Sequence, residues 1–241
     1  MRPSTCGKPA VRLFEDMPHT KAIAFDLDNC IILDEKTGTG SEELKDEAWF
    51  EVFKEYDRPI LSNALEISKN RIAGGKGDRA DVVMDILTHF GIATSDAQKQ
   101  INSRCTVFND FVQRGMQKIK ISATTRECLS SLALSIPLYV NTATPKENAL
   151  QSIRLLGIEA YFKDILGRPK TKVENLQAII NTEHIASHEL LFIDDQKSGW
   201  TAAQETGVRF VGITTKRNTA WNAGTPFPLI RSIAELKNVI S

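Results

Sequence analysis

The chain lacks an excess of either charge, a long apolar run and a pair of closely spaced cysteines. Its 30 Lys and Arg offset 30 Asp and Glu, so the formal net charge is zero. A general polyanion binder needs a basic excess or stripe, and none is present, which argues against nucleic acid as a partner. Apolar runs are short, Leu191-Phe192-Ile193 among them, well below the roughly 20 residues of a membrane span. The opening residues, MRPSTCGKPAVRLFEDMPHT, hold no apolar signal segment. Cys6, Cys30, Cys105 and Cys128 form neither a CxxC pair nor a zinc pattern. Asn-x-Ser/Thr sites, internal repeats and low-complexity tracts are missing too. These absences predict a reduced, cytoplasmic protein that meets no membrane; monomer and homodimer both stay open. What remains is ordinary: 41% hydrophobic and 25% charged residues over 241 positions, which excludes disorder, fibres and disulfide scaffolds.

Short buried-strand runs carry the organisation. Ala22-Ile23-Ala24-Phe25, Ile136 to Val140, Leu190 to Ile193 and Val208 to Ile213 suit strands covered on both faces, with Asp164 to Leu166 as a shorter candidate. Helically spaced segments lie between them: Thr124 to Leu134, Lys146 to Leu156, Lys172 to Ile185, and Thr201 to Thr206 before Gly207. The alternation predicts an α/β fold, a doubly wound parallel sheet with right-handed crossovers. From about Asp34 to Lys120 it stops, and apolar stripes of helical spacing take over, such as Leu44, Ala48, Trp49, Val52, Phe53 and Tyr56. Ile101, Cys105, Phe108 and Val112 make another, with Ser95 or Asp96 as N-cap. We therefore expect a core of residues 20–35 and 122–241, a helical insertion of 36–121, and an extension of 1–19.

Ligands of an open parallel sheet gather at the carboxyl ends of its strands. There this chain carries Asp26-Leu27-Asp28-Asn29, then Asn141-Thr142-Ala143-Thr144-Pro145, then Asp194-Asp195, with Lys172 at a helix start. Taken singly, each is a common strand-end turn or helix cap. Together, carboxylates converging without enough cations would repel, and a hard divalent cation such as Mg²⁺ resolves this through oxygen ligands. A carboxylate can also attack phosphorus. If Asp26 and Asp28 extend to one side, one can attack while the other protonates the leaving oxygen. Thr142 and the backbone N–H groups after it, starting with Ala143, suit phosphoryl oxygens, and Lys172 can neutralise their charge.

This ordered set resembles the haloacid dehalogenase superfamily from about Lys21 onward. FDLDN resembles its first motif, VNTATPKE its second, Lys172 its third and FIDDQKSGWTAAQETG its fourth. The resemblance implies a Rossmann-like core, Asp26 as nucleophile and Asp28 as general acid/base. It implies Thr142 as phosphate ligand and Mg²⁺ held by Asp26, Asp194, Asp195 and the Asp28 carbonyl, with Asp194 and Asp195 both kept as main anchor. The helical insertion resembles the family's cap. Two positions depart: Asn29-Cys30 stands where Gly-Thr is commonest, and Gly199 where a later acid or amide often supports the metal.

Asp28 sets the expected reaction, because dehalogenases lack an equivalent acid and phosphonatases carry Ala. The resemblance therefore implies a phosphatase acting on a small phosphorylated metabolite, with sugar phosphates among the candidates. A phosphomutase and a non-catalytic phospho-ligand-binding module are the rivals. Arg71 to Asp81, RIAGGKGDRAD, resembles a substrate-specificity loop, with Lys76 and Arg79 on substrate oxygens; a solvated helix–helix turn is the plainer alternative. Trp49, Phe50 and Phe53 read first as core of the insertion. GGKGDR and TGTGSEE lack the spacing of nucleotide loops, and His184 with His188 lacks a glutamate for zinc.

Overall fold

A computed structural model describes residues 20–72, 77–92 and 97–238. The extension of residues 1–19 and the Ser95 or Asp96 cap lie outside the described residues. The main sheet has six parallel strands: β1 (Ala22–Phe25), β4 (Leu138–Pro145), β5 (Asp164–Arg168), β6 (Leu190–Asp194), β7 (Arg209–Ile213) and β8 (Leu229–Ile230). Their order is β5-β4-β1-β6-β7-β8. The strand order thus reverses at β1, which pairs with β4 on one side and β6 on the other. Clefts form at such a reversal, because the flanking connections leave in opposite directions.

Side-chain alternation explains the layers. Ile23, Phe25, Leu138, Val140, Leu191 and Ile193 face one buried cluster, with residues of α5 (Ala123–Ala133) and α6 (Lys146–Leu155). Ala22, Ala24, Tyr139, Leu190 and Phe192 face the other, with α7 (Lys172–Glu183) and α8 (Lys197–Thr206). Both faces are dry, which is why these strands read as unbroken apolar runs. Helix α8 starts four residues earlier than its apolar spacing suggested, and it stops at Gly207, left-handed at φ +70°.

The segment after β1 opens with a two-residue ribbon, β2 (Leu33–Asp34) against β3 (Thr39–Gly40), where helix alone was expected. Four helices follow: α1 (Ser41–Val52), α2 (Arg58–Ile72), α3 (Arg79–His89) and α4 (Ala97–Met116). They enclose a separate apolar cluster that includes Trp49, Phe53, Ile86 and Phe108. Trp49 and Phe53 are therefore core residues of this module, while Phe50 stacks under Arg58, 4.0 Å from its guanidinium carbon. Helix α2 gave no stripe because its buried positions include Ala64 and Ser68, while Ile60 and Ile67 face solvent. No helix of the described residues is long and apolar enough to cross a membrane. No disulfide joins Cys30, Cys105 and Cys128.

Phe192 is fully buried between β1, β7 and the α7–α8 layer. Phe192→Ala is expected to cost about 3–5 kcal/mol in urea unfolding; a loss under about 1 kcal/mol would contradict the two-faced packing of β6.

Candidate active site

Because Phe25 pairs with both Val140 and Ile193, the residues just past these pairs, Asp26, Asn141 and Asp194, meet at one edge. Asp26 N donates to Ile193 O at 2.8 Å, which prolongs the strand contact by one residue. The chain then turns. Ile32 N donates to Leu27 O at 3.0 Å and Asn29 takes φ +53°, so the Asp-x-Asp segment is not extended as expected. Its two carboxylates diverge, Asp26 toward Lys172 and the β6 acids, Asp28 toward α1. Asn29 holds the left-handed position that glycine usually takes. Its amide explains the choice: Oδ1 accepts from Glu42 N at 3.0 Å and Nδ2 donates to Glu43 at 3.1 Å, so the turn caps α1. Cys30 is buried, its thiol donating to Ile193 O at 3.5 Å; burial and the nearby aspartates push its pKa well up, away from nucleophilic duty.

Asp26, Asp194 and Asp195 each present an oxygen within 4.8 Å of the others, and all three are buried. Lys172, brought in by the first turn of α7, sits 2.5 Å from Asp194 Oδ2 and 3.0 Å from Asp26 Oδ1. Burial opposes its charge, but Asp194 and Asp26 outweigh it and raise its pKa. Lys172 is held from behind: Asn141 Nδ2 donates to its carbonyl at 3.1 Å, and Asn175 Nδ2 donates to Asn141 Oδ1 at 3.0 Å. A single ammonium does not balance three acids. Burial, joined by Asp194 and Asp28 against the pull of Lys172, pushes Asp26 to about 7. Burial, then Asp194 and Asp26, pushes Asp195 to about 9. Asp194 spends Oδ1 on Gln196 N at 2.8 Å and Oδ2 on Lys172. Asp195 Oδ1, by contrast, is buried without a hydrogen bond. Unbalanced buried carboxylates with an orphaned oxygen fit a hard divalent cation.

Gly199 belongs to this packing. A Cβ there would lie 2.0 Å from Asp194 Oδ2, so the position where a supporting side chain was expected is occupied by the Asp194 carboxylate itself. Support for Asp195 comes instead from Asn218, whose Nδ2 donates to the Asp195 carbonyl at 2.8 Å and to Ile213 O at 2.7 Å.

Asp28 sits in a second polar knot. Its Oδ1 accepts from Ser41 Oγ at 2.6 Å, and its Oδ2 from Thr144 Oγ1 at 2.7 Å and from Lys45 Nζ. Lys45 also reaches Glu42 at 2.8 Å and Thr144 Oγ1 at 3.1 Å. Burial opposes ionisation of Asp28, yet Lys45 and the hydroxyls outweigh it and hold its pKa below the ordinary value. Sequence reasoning passed over Ser41, Lys45 and Thr144. A lysine inside an amphipathic helix carries no signal, because only the docking of α1 on the core buries it. Thr142 is buried within β4, two residues past its last pair with β1, its Oγ1 accepting from Thr144 N at 3.2 Å, with Ala143 exposed beside it. Arg79 lines the same cavity as Asp28 and Lys45, whereas Lys76 lies outside the described residues.

The haloacid dehalogenase-like hydrolase model matches residues 23–213. The chain belongs to the haloacid dehalogenase-like hydrolases. The expected family, core fold and enzyme class are therefore met. This hydrolase is 24% identical to a phosphoglycolate phosphatase of Photorhabdus laumondii, over 80% of each chain. Its fold matches that of the Bacillus subtilis hydrolase YfnB bound to magnesium, with a TM-score of 0.67, 18% identity and coverage of 92% and 99% of the two chains. It also matches a mutant form of Rhodobacter sphaeroides CbbY in complex with xylulose-(1,5)-bisphosphate, with a TM-score of 0.67, 17% identity and coverage of 90% and 96%.

The raised carboxylates of this hydrolase set a sign for its pH dependence. Asp26 and Asp195 have folded pKa values of about 7 and about 9 against 3.8, so the folded state holds protons that the unfolded chain releases. Their contribution to metal-free stability therefore falls as pH rises from about 4 to about 9. Magnesium should oppose that loss, so the rise in Tm on adding it to metal-free protein is expected to grow from about pH 5 to about pH 9. Asp195→Asn should abolish most of this growth. A rise in Tm that is equal at both pH values in the parent would contradict the shared site.

Proposed function

We propose that this hydrolase is a magnesium-dependent phosphatase of a small phosphorylated metabolite, working through an aspartyl-phosphate on Asp26. The observation that carries the reading is the separation of two carboxylate environments: Asp26 among the cation-seeking acids, Asp28 apart among donors. Asp26 attacks phosphorus, the ester P–O bond breaks, and the leaving oxygen takes a proton from Asp28. Asp28 then draws a proton from water, whose oxygen attacks phosphorus and frees Asp26. In its present contacts Asp28 is the ionised base of the second step. The negative charge of an arriving phosphate raises its pKa toward the acid needed in the first. Thr142 and the Ala143 N–H hold phosphoryl oxygens, and Lys172 balances their charge.

Asp26, Asp194, Asp195 and the Asp28 carbonyl would hold magnesium, with Asp195 the main anchor because its Oδ1 has no other partner. The ion supplies positive charge where the phosphoryl oxygens gather. In this reading residues 36–121 are a cap over a core of 20–35 and 122–241. The cavity between them is about 20 Å³, room for about one water, so substrate enters only when the cap swings away and water leaves as it closes. Cytoplasmic location, without nucleic acid or membrane as partner, is part of the same proposal.

Asp26→Asn is expected to lower phosphate release from a chromogenic ester or a metabolite panel by at least about 10³-fold, with Tm retained. Turnover surviving in that variant would reject Asp26 as nucleophile. Recovery of an isomerised ester in place of free phosphate from the parent would instead establish a mutase.

A further inference from the structure

Asp195 stands one residue past β6, where the ladder with β7 has ended at Asp194 and Gly212. Asn218 Nδ2 bridges Asp195 O at 2.8 Å and Ile213 O at 2.7 Å. An amide side chain thus supplies one further rung between β6 and β7. Its orientation is fixed, because Oδ1 accepts from Thr215 N at 2.8 Å while Nδ2 faces the two carbonyls. Arg217 N closes the same turn by donating to Thr215 Oγ1 at 3.2 Å.

This short segment also grips the helical module. Lys216 N donates to Gly38 O at 3.1 Å, in the turn between β2 and β3. Arg217 Nη1 and Nη2 donate to Asp46 Oδ2 of α1, at 2.7 and 2.6 Å, and its Nε lies 3.7 Å from Glu43 Oε1. Asp46 Oδ1 meets Lys69 Nζ of α2 at 2.5 Å. The Arg217–Asp46 pair is partly exposed, and such pairs add little stability, at most about 1 kcal/mol. Their placement matters more than their strength. Arg217 holds α1, and the very next residue holds the Asp195 carbonyl. A movement of α1 that drags Arg217 therefore disturbs the backbone from which the unpartnered Asp195 Oδ1 projects.

We propose that Asn218 and Arg217 are positioning residues that couple the seating of α1 to cation binding at Asp195, which rests on the reading of Asp195 as a magnesium anchor. With α1 docked, Arg217 steadies the segment and Asn218 steadies the anchor. The coupling runs both ways, so magnesium favours the docked helix as much as the docked helix favours magnesium. Because α1 also brings Ser41 and Lys45 to Asp28, a loaded cation site and an enclosed Asp28 occur together.

Calorimetry with magnesium chloride alone on the full chain tests this, with Tm as the check on folding. Arg217→Gln is the decisive variant, because the two explanations for any change have opposite signs. Removing a positive charge near the site strengthens cation binding by Coulomb attraction alone, whereas loss of positioning weakens it. The magnesium Kd is expected to rise about threefold in Arg217→Gln, to recover in part in Arg217→Lys, and to rise at least about tenfold in Asn218→Ala. Hydrogen exchange gives the reciprocal readout: magnesium should slow exchange of the α1 amides in the parent and leave it unchanged in Arg217→Gln. An unchanged or lowered magnesium Kd in a folded variant at either position would overturn the proposal. So would α1 exchange in the parent that is indifferent to magnesium, a result that requires no variant to fold. A parent that binds magnesium while its variants bind it equally keeps the cation site and loses only the coupling. A parent that binds no magnesium removes the cation reading, and the coupling with it.

Discussion

Charge balance at the carboxyl edge of β1 is the constraint on which the rest of the molecule depends. Asp26, Asp28, Asp194, Asp195 and Glu42 converge there, and among the described residues Lys172 and Lys45 are the ammonium groups that pair with them. Buried carboxylates in such numbers are costly unless paired. The arrangement divides the problem in two. Lys172 partly neutralises the acids of the core, leaving Asp195 and Asp26 with raised pKa values. Lys45 and two hydroxyls fully satisfy Asp28 and keep it ionised. One half of the edge therefore invites a cation, and the other is self-sufficient until a substrate arrives.

That division also joins the helical module to the sheet. Asn29 of the core caps α1, Ser41 and Lys45 of α1 hold Asp28, and Arg168 at the end of β5 donates to Gly77 O at 2.8 Å. Each contact spans the two parts, and Asp28, Ser41 and Lys45 line the cavity itself. Moving the helices away would remove Lys45 and Ser41 from Asp28 and free its oxygens. The protonation of Asp28 is thereby tied to the position of the helices that form the pocket wall, which couples enclosure of a substrate to the state of the proposed acid.

Much of this was legible in the chain. The apolar runs that stop before Asp26, Asn141 and Asp194 are readable because strands buried on both faces are apolar until they near the carboxyl edge. Lys172 was readable as a helix-start residue in the right order. The hidden residues share a different logic. Lys45 and Ser41 sit on a helix whose outward face looks like any solvated surface, so their burial depends on a neighbour far away in sequence, whereas Arg79 already stands out in RIAGGKGDRAD. Thr144 looked like a strand-end residue and Asn29 like a departure from the family pattern; each is explained by a bond to another segment. Helix α2 showed no clear stripe because Ala64 and Ser68 share its buried face with Leu61 and Leu65, while Ile60 and Ile67 face solvent.

The amino-acid sequence by itself determined the doubly wound sheet, the break where the helices enter, and which acids stand at the carboxyl edge, because all three follow from local periodicity and strand ends. Only the tertiary structure decided which acid faces which cation. A single left-handed turn at Asn29 points Asp28 away from Asp26 and into the grasp of Lys45. Close approach at Gly199 seats Asp194 against α8 and leaves the unpaired oxygen to Asp195. Docking of α3 over the edge sets Arg79 without an acid partner among the described residues. Pairing of buried charges is a matter of ångströms between distant segments, and it exists only once those segments have been packed together.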